Sequence, residues 1–138
     1  MNSNPLKIHA EIAAPLQKAW ELWNDENAIK IWNHASEDWH CPSAINDFHE
    51  GGTFCYTMAA KDGSFSFDFA GTYLVIHHLK KIHYRLEDGR NVYVIFEEKE
   101  GKTYIEEIFD PENMNPHEMQ RQGWQAILDN FKRLAEHK

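Results

Sequence analysis

The chain is predicted to be an α+β protein in which a curved antiparallel β-sheet of about six strands wraps around one long C-terminal helix. Three observations carry that prediction. Apolar and polar residues alternate at the start and again, run after run, from Gly51 to Phe109, the two-residue period of half-buried strands. Between these stretches a proline and a pair of tryptophans three apart mark a change to helical period. The final segment carries an apolar stripe at helical spacing, and an alternating sheet needs such a cover on one face.

Leu6, Ile8, Ala10 and Ile12 alternate with Lys7, His9 and Glu11 and make the first strand. Pro15 fits the first turn of a helix, where its missing N–H costs nothing, and Trp20 and Trp23 then share one face. After the break at "NDEN", Ala28, Ile29 and Trp32 outline a second short helix. Phe54, Tyr56 and Met58 alternate up to the turn "KDGS"; Phe65, Phe67, Phe69, Gly71 and Tyr73 share the parity of a long strand. Ile82, Tyr84 and Leu86 continue the pattern. The turn "EDGR" leads to Val92, Val94 and Phe96, and "EKEGK" leads to a last strand, Thr103 to Phe109, with Ile105, Glu107 and Phe109 on one face. Asn115, Pro116 and Glu118 then supply an N-cap, a first-turn proline and an acid at N3. Met119, Gly123, Trp124, Ile127, Leu128, Phe131 and Leu134 form the apolar stripe of the closing helix. Only this helix is long enough to supply most of the cover.

No repeat, low-complexity run or linker divides the 138 residues, so residues 1–138 are expected to form one domain. With 42% hydrophobic and 13% aromatic residues, a packed interior is available. Twenty-two acids against 14 Lys and Arg leave a formal charge of -8, which repels phosphate backbones and anionic bilayers and argues against nucleic-acid and membrane partners. The opening "MNSNPLKIHA" has no apolar run of signal-peptide length, and a cytoplasmic location is the expectation. Cys41 and Cys55 are accordingly expected to be reduced and packed as small apolar side chains.

The segment "WNHASEDWHCPSA", Trp32 to Ala44, follows neither period and concentrates reactive side chains. As a metal site it offers only His34, His40 and Cys41, in an H-x5-H-C spacing that no second cluster completes, so no metal is expected. As a cysteine-nucleophile site it is equally poor, because His40 adjoins Cys41 and adjacent side chains diverge. The remaining reading is a loop that closes one end of the fold. There Trp39 would line a pocket or anchor the core, and His40 would meet the polar end of a mostly apolar ligand.

Taken together, "APLQKAWELWNDENAIKIWN", "GGTFCYTM", "GTYLVI" and "GWQAILDNF" resemble the SRPBCC superfamily, the START-related helix-grip fold. Within it the chain is similar to single-domain bacterial proteins akin to the C-terminal domain of the activator of the ninety-kilodalton heat-shock protein ATPase. The resemblance spans nearly the whole chain. It implies a cavity between the concave sheet and the long helix, which in many relatives holds an apolar or aromatic small molecule, and it implies no single activity.

On that frame the candidate ligand-binding residues are Trp39, His40, Tyr56, Met58, Phe67, Phe69, Val94, Phe96, Glu107, Gly123 and Trp124. Glu107 is the most informative. A carboxylate on an inward face needs a partner or a raised pKa, unless it escapes at a sheet edge; His40, Tyr56 or a ligand are the partners available. Gly123, costly within a helix, marks either close approach to the sheet or space for a ligand. Binding of a small apolar or aromatic molecule is the leading expectation, with no cofactor. The alternatives are a stress-related module that contacts a chaperone and a cyclase- or hydrolase-type enzyme in which Glu107 or His40 exchanges protons while Tyr56 orients the substrate.

Overall fold

Alternation at Leu6–Ile12 produces β1 over those same residues in the computed structural model, which describes residues 5–137. The two ends of the expected domain, residues 1–4 and 138, lie outside the described residues. Pro15, with φ of -65°, is preset for the entry to α1 (Leu16–Asn24), which buries Ala19 and Trp20. Asp25 ends α1 and starts α2 (Glu26–Trp32), its side chain accepting a hydrogen bond from the Ala28 N–H. The "NDEN" break is therefore a shared cap.

Six further strands follow: β2 (Trp39–Asn46), β3 (Thr53–Ala60), β4 (Ser66–His77), β5 (Lys81–Leu86), β6 (Asn91–Lys99) and β7 (Lys102–Phe109). Among the described residues the sheet has seven antiparallel strands in the order β1-β7-β6-β5-β4-β3-β2, so β1 and β2 are its edges. Tight hairpins set the register. Between β6 and β7, Glu100 and Gly101 both take positive φ, 57° and 80°, the geometry of a two-residue hairpin turn that matches strand twist. Gly71 answers a different need. A Cβ there would sit 2.5 Å from the Arg85 carbonyl oxygen and 3.0 Å from the Phe54 ring.

The seventh strand corrects the sequence reading, which expected about six and treated Trp39 and His40 as loop. β2 pairs with β3, but its register shifts between His40 and Ser43, next to Pro42. A bulge scrambles the side-chain alternation, and proline, lacking an N–H, is tolerated on an edge strand.

The closing helix α3 (His117–Glu136) buries Gln120, Leu128, Phe131 and Ala135. It begins one residue later than Asn115 capping would require. Pro116 holds the N-cap position, and the Asn115 side chain donates instead to the Glu112 carboxylate. Glu118 in the first turn and Arg133 in the last complement the helix dipole. Phe131 packs edge-on against both Trp23 and Trp32, at 4.8 and 5.2 Å between centroids, while the two tryptophans touch each other at 4.9 Å, which ties α1, α2 and α3 together. Met119, placed in the apolar stripe by its spacing, is exposed.

Candidate functional site

The curl of the sheet leaves more room beneath α3 at one end than side chains fill. Near β6 the space is packed. Val94 is fully buried, and Phe96 meets Trp20 and Trp23 at 5.0 and 5.7 Å. Toward β3 and β4 a cavity of about 370 Å³ remains, within the range of small-molecule sites. Its floor is the inward face of the sheet: Phe54, Tyr56 and Met58 from β3, Phe67, Phe69 and Tyr73 from β4, Ile82 and Tyr84 from β5, and Glu107 from β7. Its roof is α3 through Gln120, Gly123, Trp124 and Ile127, and Trp23, Trp32 and Asn33 close the inner end. Ala35, Phe67, Asn115 and Met119 are both lining and exposed, which marks the mouth.

Two polar features face this apolar space. Along one wall Tyr73 donates from its hydroxyl to Asn46 Oδ1 at 2.6 Å, and the Tyr56 hydroxyl lies 3.4 Å from that of Tyr73. Since Tyr73 spends its proton on Asn46, Tyr56 is the donor to Tyr73. Burial raises the pKa of all three cavity tyrosines, Tyr73 to about 12 and Tyr56 and Tyr84 further, so each presents a neutral hydroxyl. The second feature is Glu107, 5% exposed, flanked by Ile8 on β1 and Val94 on β6. Desolvation pushes its carboxyl up to about 8.

The rim is held by Gln120, a residue the sequence reading did not single out. Its amide nitrogen donates to the carbonyls of Glu112 and Asn115, and its oxygen accepts from the Glu112 N–H. The segment between β7 and α3 is thereby fastened to the helix.

Of the residues expected to bind ligand, Tyr56, Met58, Phe67, Phe69, Glu107, Gly123 and Trp124 meet around this cavity. Val94 and Phe96 share the inward parity but lie in the filled part of the core. Trp39 and His40 do not join them either. Trp39 packs at the sheet edge against Phe65 and Phe67 at 6.0 and 5.9 Å, and His40 is exposed. Glu107 and His40 stand five strand positions apart, one buried and one in solvent, so the proton-exchanging pair is not assembled. Gly123 is resolved in favour of space, because a Cβ there would meet nothing within 4 Å. Tyr84 was overlooked as lining, although its parity with inward Ile82 signals it.

Cys41 and Cys55 are free thiols, and burial raises the Cys41 thiol. Among the described residues no three His, Cys, Asp or Glu side chains gather as a metal site, and no helix is long and apolar enough to cross a membrane.

Comparison with known proteins gives a consistent picture. The sequence model of the family described as Activator of Hsp90 ATPase homolog 1-like protein matches residues 13–136. The solution structure of an AHSA1-like protein from Aeromonas hydrophila is 43% identical, covering 95% of this chain and 92% of its own, with a TM-score of 0.87. A protein from Cytophaga hutchinsonii is 46% identical over 97% of this chain and 93% of its own, with a TM-score of 0.84. A crystal structure from Chromobacterium violaceum shares the fold alone, at 20% identity, 98% and 99% coverage and a TM-score of 0.87. No curated protein matches significantly.

Proposed function

The chain belongs to the Activator of Hsp90 ATPase homolog 1-like family, and from that membership we propose that it binds a small, mostly apolar or aromatic molecule in the cavity between its sheet and α3. The observation that carries this reading is the unfilled space itself. A volume of about 370 Å³ lies among aromatic walls, beside a helix that carries a glycine where larger residues would fit. Interiors normally pack to few voids larger than a water molecule, so a cavity this size is retained at a cost in stability. Occupation by a ligand restores the lost contacts and offsets that cost.

The test is native mass spectrometry of the purified protein, with extraction and identification of whatever co-purifies, alongside thermal unfolding against a panel of apolar aromatics. A retained small molecule, or a concentration-dependent rise in melting temperature, is the expected result. A bare chain whose melting temperature no compound raises would overturn the reading.

A chaperone-interacting module is the second reading. It is favoured by the exposed aromatic edge where Phe65 and Phe67 meet Trp39, since clustered exposed aromatics suit a protein contact. A change in chaperone ATPase rate on addition of the protein, abolished by Phe65→Ser, is its expected sign; an unchanged rate excludes it.

A further inference from the structure

We propose that the cavity's occupant is an organic amine, an apolar ring-bearing body whose ammonium group seats against Glu107. This rests on the cavity being a binding site and names the class of molecule it takes.

The first ground is the state of Glu107. It points inward between Ile8 and Val94, lines the cavity and is 5% exposed. No hydrogen bond from a protein group reaches its carboxyl among the described residues, and desolvation alone governs its ionisation. Among the described residues no polar side-chain atom is sealed away without a partner, so the Glu107 oxygens open onto the cavity. A buried carboxyl left without a donor is costly, and a ligand that brings one gains by supplying it.

The second ground is the remaining charge around the space. Arg90 is engaged by Asp88, with Nε donating at 2.8 Å. Glu112 is taken up by the backbone N–H groups of Met114 and Asn115 and by the Asn115 side chain. Glu107 is thus the unengaged ionisable acid of the lining. A carboxylic ligand would set a second acid beside it, and a hydrocarbon would leave it bare. An ammonium gives the stronger, charge-assisted bond.

The third ground is the wall. Trp23, Trp32, Tyr56 and Trp124 surround the space, and aromatic faces attract organic cations after they lose water. Tyr84, buried and without a protein hydrogen bond among the described residues, adds a hydroxyl acceptor to the same cavity, two strands across and one row along the sheet from Glu107. The formal charge of -8 attracts a cation at long range.

Seating an ammonium has a proton balance. Near neutral pH Glu107 is mostly protonated; the incoming ammonium keeps its protons, the Glu107 carboxyl releases its own to solvent, and an ion pair remains. The titratable and charged groups that share this space are Tyr56 on β3, Tyr73 on β4, Tyr84 on β5, Arg90 after β5 and Glu112 after β7. The lining residues of α3 carry none, and Ile8 faces Glu107 from β1.

The experiment is isothermal titration calorimetry of the full chain with naphthylmethylamine, ethylnaphthalene and naphthoic acid, which share one ring body, in buffers of different ionisation enthalpy. The amine is expected to bind about tenfold or more tighter than ethylnaphthalene, to release close to one proton at pH 7, and to lose its preference in Glu107→Gln. Ethylnaphthalene binding as tightly as the amine, or no proton release, would overturn the amine assignment while leaving the cavity as a binding site. Failure of all three to bind would overturn both.

Discussion

Trp124 lies flat on Phe109, with ring centroids 3.9 Å apart and planes 6° from parallel. Phe109 ends β7, two residues beyond Glu107 on the same face, and Trp124 follows Gly123 on α3. This contact joins the helix to the sheet beside the cavity. Trp124→Ala is expected to cost about 3 kcal/mol, through lost ring contact and incomplete collapse of the site. Trp124→Phe should recover part of that. The urea unfolding midpoint checks both, and a loss below about 0.5 kcal/mol for the alanine would show that the stack does not hold the helix.

Glu107 makes stability depend on pH. Its ordinary value is 4.5 and the fold raises it to about 8, so between those values the unfolded chain sheds a proton that the folded chain keeps. The contribution to stability is full below pH 4.5, falls as pH rises to about 8 and then levels off. By pH 7 the fall amounts to roughly 3 kcal/mol. Glu107→Gln keeps the shape without the charge. It should match the wild type at pH 4, exceed it at pH 7 by about that amount, and show no such slope in denaturation curves. An equal gap at both pH values would place the cause elsewhere.

Gly123 faces open space, so substitutions there separate helix propensity from cavity volume. Gly123→Ala should stabilise the protein by up to about 1 kcal/mol. Gly123→Leu should fold and fill part of the cavity, weakening ligand binding by about tenfold or more. A leucine variant that binds as the wild type does would show that the ligand lies elsewhere.

Gln120 fastens the rim through three hydrogen bonds. Gln120→Ala should cost about 2 kcal/mol, because it strips partners from half-buried backbone groups. The Glu112 amide, which donates to Gln120, should then exchange with solvent at least about tenfold faster. Unchanged exchange there would mean the segment is held by other contacts.

Most strands were legible because each carries its own alternation, and the terminal helix because Leu128 and Phe131 fall on a stripe that only a helix makes. β2 was not. Its bulge after His40 breaks the period, and an edge strand gives a weak burial pattern even when regular. Trp39 and His40 were assigned to the pocket by chemical suitability, which says nothing of where a strand sits in the sheet order. Val94 and Phe96 point inward as their parity requires. Whether an inward residue meets a packed helix or a void depends on how α1 and α3 divide the concave face, a property of the whole fold. Gln120 was hidden for another reason. On an amphipathic helix a glutamine reads as surface, and its partners are main-chain groups of a loop, which leave no mark in residue identity.

A small aromatic ligand in the space between the sheet and α3 should be visible in an amide-resolved NMR titration with ethylnaphthalene. Saturable shifts are expected at Tyr56, Phe69, Tyr84, Glu107 and Gly123 and in the Trp124 indole N–H, with His9 and Lys132 on the far side of α3 unmoved. Shifts confined to the exposed edge at Trp39 and Phe65, or no saturable shift at all, would contradict binding in that space.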